Sequence, residues 1–110
     1  MNAPSVQELN LLHTNICQAL GDPKRIMILY ELNKRPRNVS ELAVDLGMPQ
    51  PTVSRHLRIL RQRSLVTPER NGAAVYYYLS DPRMIEILDN MRLVLRKSLE
   101  SQSSFLDLDS

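Results

Sequence analysis

Arg55, Arg58, Arg61 and Arg63 fall in a stretch from Leu46 to Pro68 that holds no acidic residue. Guanidinium groups gathered without carboxylates attract anions, and along a helix they suit a polyanion such as nucleic acid. Charge alone fits a solvated helix face equally well. The side chains just before the arginines sharpen the reading. Gln50, Thr52 and Ser54 can exchange hydrogen bonds with base edges, and Arg can bond guanine through two donors at once.

Two other groups could carry chemistry. His13 and Cys17 lie four residues apart, a helical spacing that offers two ligands to one metal ion, whereas zinc takes four. The reading preferred for Cys17 is a small hydrophobe in the core, with a redox or effector role as the alternative. His56 stands between Arg55 and Leu57 and leaves two readings open. It is either a partly buried ring bonded to backbone or a phosphate contact. With no nucleophile motif, no acid–base pair and three glycines outside any phosphate loop, no catalytic residue, cofactor or metal site is expected.

These side chains need a scaffold, and the periodicity supplies one. Val6, Leu9, Leu12, Ile16 and Leu20 predict a first helix ended by Gly21. Asp22-Pro23 restarts the chain as cap and first helical residue, with Ile26, Leu29 and Leu32 turned inward. Ser40 reads as the cap of a short third helix that closes at Leu46-Gly47. Only Met48-Pro49-Gln50 separates it from a fourth helix, about Pro51 to Arg63, burying Val53, Leu57 and Leu60. So tight a turn between two helices predicts a helix-turn-helix unit. Asn71-Gly72 predicts a hairpin between Leu65–Arg70 and Ala73–Leu79, with Pro68 at a sheet edge. A last helix runs from Asp81-Pro82 to about Ser98. Its Met84, Ile85, Ile87, Leu88, Met91, Leu93, Val94 and Leu95 fill more than one stripe, which calls for a second contact surface. The expected fold is mainly α with a small β-hairpin wing, a winged helix-turn-helix.

Its 110 residues allow one domain, placed at residues 1–98, with an acidic tail over 99–110 read as disordered. Phe105-Leu106-Asp107-Leu108 in that tail is a weaker docking candidate. The longest apolar run, Ala73–Leu79, is too short to span a bilayer, and MNAPSVQELN lacks the pattern of a signal peptide. One cysteine excludes an internal disulfide, so a cytoplasmic protein without membrane contact is expected.

In sequence the chain resembles the ArsR-type family of bacterial repressors. The resemblance rests on Ala19-Leu20-Gly21-Asp22-Pro23-Lys24-Arg25-Ile26, Ser40-Glu41-Leu42-Ala43 with Leu46-Gly47, and Gln50-Pro51-Thr52-Val53-Ser54-Arg55-His56-Leu57-Arg58-Ile59-Leu60. Leu65-Val66 and Val75-Tyr76-Tyr77-Tyr78-Leu79 complete it. It implies a homodimer held by the first and last helices, here through Leu9, Leu12, Ile16, Leu88, Met91 and Leu95, and release of DNA by an effector. It also implies double-stranded DNA as partner, with Ser40, Gln50, Thr52, Ser54, Arg55, His56, Arg58, Arg61 and the wing's Arg70 as contacts. The competing function is a winged-helix module whose basic helix binds an acidic protein.

Five departures qualify the likeness. Ala43 and Asp45 occupy the third-helix positions where metal-sensing members carry cysteines, the last helix has no histidine, and a cysteine pair is lacking. Pro49 replaces the usual serine or threonine cap of the fourth helix, leaving Gln50 or water to substitute, and Ala73 stands where the wing is often basic.

Overall fold

Ser5 starts the first helix by accepting the Glu8 backbone N–H at 3.1 Å, and α1 spans Val6–Leu12. In the computed structural model, which describes residues 2–109 and the side chains of residues 2–103, this helix does not run on to Leu20. Thr14 Oγ1 donates to the Asn10 carbonyl and Asn15 Nδ2 to the Leu11 carbonyl, each at 2.9 Å. Side chains that take helical carbonyls compete with the regular backbone ladder. The chain widens into a π-helical turn at His13–Cys17, with Gln18 N–H on the His13 carbonyl at 2.9 Å, then tightens into a 3-10 turn at Ala19–Gly21.

Asp22 caps α2 (Pro23–Lys34) by accepting the Lys24 N–H at 2.9 Å. Ile28, Leu29 and Leu32 are buried. Ile26, expected inside, is half-buried at a small cavity shared with Tyr30 and Leu88. The cap of α3 (Val39–Leu46) is Asn38 rather than Ser40. Asn38 Oδ1 accepts the Glu41 N–H at 2.8 Å while Glu41 accepts the Asn38 N–H at 3.2 Å, a reciprocal capping box. Gly47 closes α3 with φ +64°, a left-handed conformation that glycine adopts without strain. Two residues later α4 (Gln50–Gln62) begins, its Pro49 cap making no side-chain hydrogen bond.

The wing pairs β1 (Val66–Asn71) with β2 (Ala74–Leu79), antiparallel, in a register that sets Asn71 opposite Ala74. Its two turn residues are therefore Gly72 and Ala73, one position later than expected. Only Gly72 takes a positive φ, +66°, as a type II′ turn requires of its first central residue. Arg37 and Tyr77 exchange backbone hydrogen bonds of 3.1 and 2.8 Å on the far side of β2. Tyr77 thus spends both backbone groups on Arg37, and its β1 partner Pro68 has no N–H to leave unpaired.

Asp81 leads into α5 (Arg83–Asp109), accepting from the guanidinium of Arg83 and then from its backbone N–H, which hold its carboxyl down at about 2. The helix runs well past Ser98, through the stretch read as a tail; the side chains of Phe105–Leu108 lie outside the described residues. Tyr30 ties α5 to α2: its hydroxyl donates to Asp89 Oδ1 at 2.6 Å, and the Arg92 guanidinium sits 5.4 Å from its ring centre.

The core joins Ile28, Leu29 and Leu32 to Leu42, Val53, Leu57, Leu60 and Val66, with Met84, Ile85 and Leu88 closing it from α5. Leu88, expected in an interface, is 3% exposed and belongs to this core. The rest of α5, as far as Ser103, and all of α1 do not. The radius of gyration is 17.2 Å, against about 13 Å for a compact chain of this length.

Candidate nucleic-acid interface

Helix α4 divides into two sides. Val53, His56, Leu57 and Leu60 are buried, whereas Gln50, Ser54, Arg55, Arg58, Arg61 and Gln62 are exposed and Thr52 is half-buried. At about 100° per residue Gln50, Ser54, Arg58 and Arg61 line up along one exposed face, with Arg55 at its margin. The first turn of α4 is held against α3 by its polar ends: Gln50 Nε2 donates to Ser40 Oγ at 3.3 Å, which brings two expected contact residues together. No side-chain cap bond forms at this end of α4, from Gln50 or from Pro49. The Pro49 carbonyl accepts the Thr52 and Val53 N–H groups, at 3.0 and 3.1 Å.

Among the described residues, the ion pairs draw on Arg25, Lys34, Arg35, Arg37, Arg83 and Arg92 but not on any arginine of this face. Among the described residues, no acid pairs with Arg55, Arg58, Arg61 or the half-buried Arg63. On the wing, Arg70 is exposed on β1 opposite Val75, beside a tip of Asn71, Gly72 and Ala73 that is exposed as well. The surface offers positive charge and hydrogen-bond donors to an anionic partner, and among the described residues it gathers no nucleophile with a general base.

His56 does not join it. The ring is 4% exposed and faces the start of α2, where its Nδ1 meets Arg25 Nη1 at 3.3 Å. The phosphate contact is corrected, and so is the backbone partner, since an arginine side chain takes that place. Cys17 departs in the opposite sense. It is exposed on the π-helical turn instead of packed in the core; that turn meets the core through Ile16, and Cys17 is left facing outward.

Sequence reasoning also missed a buried cation. Arg37 is 5% exposed, and its Nη1 donates to Glu31 of α2 and, at 2.8 Å, to Asp45 of α3. Asp45, a position where metal-sensing relatives were expected to hold a ligand, is thus engaged by a guanidinium, and its neighbour in that pattern is the buried methyl of Ala43. The residues do not fit the family's third-helix metal site. No group of three or more His, Cys, Asp or Glu that could hold a metal ion occurs among the described residues, and no helix among them is long and apolar enough to cross a membrane.

Residues 22–67 match the family of bacterial regulatory proteins designated ArsR. The chain is 43% identical over 72 residues to the HTH-type transcriptional regulator NmtR of Mycobacterium tuberculosis, covering 66% of this chain and 60% of NmtR. It is 32% identical over 102 residues to the HTH-type transcriptional regulator Rv0081 of the same organism, covering 92% of this chain and 90% of that one. The crystal structure of Rv0081 superposes with a TM-score of 0.76 over 86% of this chain and 95% of the other, at 34% identity. A homodimeric winged helix-turn-helix DNA-binding domain from Mycobacterium bovis gives 0.74 at 27% identity, over 92% and 95%. The chain spans about 60% of the length of NmtR and 64% of the M. tuberculosis repressor SmtB.

Proposed function

Because this chain belongs to the ArsR family of bacterial regulatory proteins, whose members are transcriptional regulators and not enzymes, we propose that it is a cytoplasmic transcriptional repressor that binds an inverted-repeat operator as a homodimer. The observation that carries the reading is the face of α4: three exposed arginines unpaired with any acid among the described residues, on the second helix of a helix-turn-helix. Such a helix lies in the major groove with its N-terminal residues on base edges. Gln50, Thr52, Ser54 and Arg55 occupy that end, Ser40 supports it, and Arg58, Arg61 and Arg63 reach backbone phosphate further along. Arg70 reaches DNA from the wing. Residues 1–98 form the functional unit of this proposal.

The two kinds of contact separate by mutation. Arg55→Ala is expected to cost about 1–3 kcal/mol on the operator and to flatten discrimination at particular base pairs. Arg61→Ala weakens binding to operator and scrambled DNA alike. It also lowers the magnitude of the log-affinity against log-salt slope by about 0.9 per lost phosphate contact, about twice that for a dimer. Titrating both variants on both DNAs at several salt concentrations checks this, and the reverse assignment would place the helix differently. A protein that prefers an acidic polypeptide to any duplex would support the interaction-module reading instead.

A second expectation concerns metals. With Asp45 held by Arg37, Ala43 apolar and no histidine on α5, zinc, cadmium or arsenite should change operator affinity by less than the roughly fivefold that marks weak allosteric coupling. A larger loss that disappears in Cys17→Ser would show that the exposed arm senses metal after all.

A further inference from the structure

Arg25 stands between the arm formed by residues 6–21 and the helix proposed to read DNA. Its Nε donates to the Ala19 carbonyl and its Nη2 to the Gln18 carbonyl, while Nη1 meets His56 Nδ1 at 3.3 Å. Arginine has donors only and keeps its proton. Nδ1 of His56 must therefore accept, and the neutral ring carries its hydrogen on Nε2. That nitrogen is buried without a hydrogen-bond partner among the described residues, and Asp22 Oδ2 stands 3.9 Å away.

A second proton on this ring has nowhere to go but Nδ1. There it would turn an acceptor into a donor and set two positive charges 3.3 Å apart. The charged groups facing the ring are Asp22, Lys24 and Arg25 at the start of α2 and Arg55 on α4. Only Asp22 favours the imidazolium. Its own carboxyl is held below the usual carboxylate range, first by the Lys24 backbone N–H. Burial, the largest influence, opposes the charge, as do the three cations, and together they bring His56 below its ordinary 6.5.

We propose that Arg25 and His56 are positioning residues for the recognition helix: their bond locks α4 to the arm while His56 is neutral, and protonation of His56 releases it, so that operator affinity falls on acidification. The inference rests on α4 being the helix that reads DNA. Its sign follows from linkage. A histidine whose folded pKa lies below the ordinary value contributes stability that is whole above about 6.5 and declines as pH falls through the folded value, because the released ring binds the proton more readily.

The test uses the full chain and duplexes selected from a random pool by the wild-type protein at about pH 7.5. A pool that yields no preferred sequence counts against the DNA-reading function itself and is scored separately. On the selected duplex, affinity is measured at about pH 7.5 and about pH 5.5 at constant salt, with helicity followed at both. Wild type should weaken by about fivefold or more with helicity unchanged. His56→Gln can still accept from Arg25 through its amide oxygen and cannot titrate, so its affinity should be close to wild type at the higher pH and flat across the range. With only two histidines in the chain, the His56 ring resonance of the wild type can be identified against a His13→Gln variant. Its titration midpoint should coincide with that of the affinity loss, which keeps the test decisive if His56→Gln does not fold. The proposal is overturned if wild-type affinity does not fall, if His56→Gln declines in parallel, if the midpoints differ, or if helicity disappears together with affinity.

Discussion

Replacing Glu31 and Asp45 together by alanine is expected to cost about 3–5 kcal/mol of folding stability, whereas Arg37→Met should cost about half as much or less. The inequality follows from where water can reach. The Arg37 side chain is 6% exposed, the Glu31 carboxylate side chain 17% and that of Asp45 34%. Without its acids, the guanidinium is an uncompensated charge that cannot rehydrate; without the guanidinium, the acids can turn outward. Methionine also fills part of the volume that the arginine stem leaves. Urea unfolding at fixed protein concentration reads both costs, and the opposite order would mean that the cluster is solvated. Glu31 adds a pH signature. Lys34 first, and Arg37 after it, hold its carboxyl below the ordinary 4.5, so its contribution is present above about that value and is lost as pH falls through the lower folded one.

This cluster matters for function because of what it joins. Glu31 ends on α2, Asp45 on α3, and the Arg37 backbone pairs with Tyr77 of the wing. Through its side chain Arg37 thus ties α2 to α3, the helix that supports α4, and through its backbone it ties both to β2, whose partner strand β1 carries Arg70.

Features legible in the sequence were those whose cause is local. The 3.6-residue repeat of Val53, Leu57 and Leu60, the left-handed closure at Gly47 and the cap at Asp22 each depend on residues within a turn or two, and each stands as expected. Local competition was harder. Asn38 and Glu41 carry a capping-box signature, yet Ser40 offered a second cap two residues on, and only the reciprocal bonds decide between them. The hairpin turn slipped by one residue because Asn-Gly and Gly-Ala both permit a two-residue loop, and the register depends on Tyr77 and its bond to Arg37. What could not be read were partners remote in sequence. His56 meets Arg25 across 31 residues and Tyr30 meets Asp89 across 59. A side-chain type marks such residues as able to bond but says nothing of which neighbour the fold will bring. The α4 face was legible because exposure there follows from periodicity alone; His56 was misplaced onto it because histidine suits either side of a helix.

Changing Met91 and Leu95 to glutamate is expected to abolish dimerisation and, with it, operator binding, while leaving the monomer folded. In the single chain α1 buries none of its residues, and Val6, Leu9, Leu11 and Leu12 are exposed. On α5 the inner stripe ends with Leu88, beyond which Met91 is 52%, Val94 70% and Leu95 56% exposed. Ile87, Met91, Val94 and Ser98 border an open groove of about 550 Å³, at the alternating three- and four-residue spacing by which one helix seats another. A seven-residue helix with nothing buried is marginal on its own in water, and in the proposed homodimer a second copy covering α1 and α5 would supply what the single chain lacks. By two-fold symmetry the pair of substitutions removes four apolar side chains from the interface. At roughly 1.5–3 kcal/mol each this is about 6 kcal/mol at least, or about four powers of ten in dissociation constant. Sedimentation should show the wild type as a dimer and the double variant at the monomer mass of 12.6 kDa, with the α2–α4 core still folding cooperatively. Leu88→Glu serves as the contrast: it lies inside the core and should unfold the chain instead. A wild type that sediments as a monomer at micromolar concentration, or a double variant that still binds an inverted repeat with two half-sites about one helical turn apart, would place the assembly elsewhere than on these two helices.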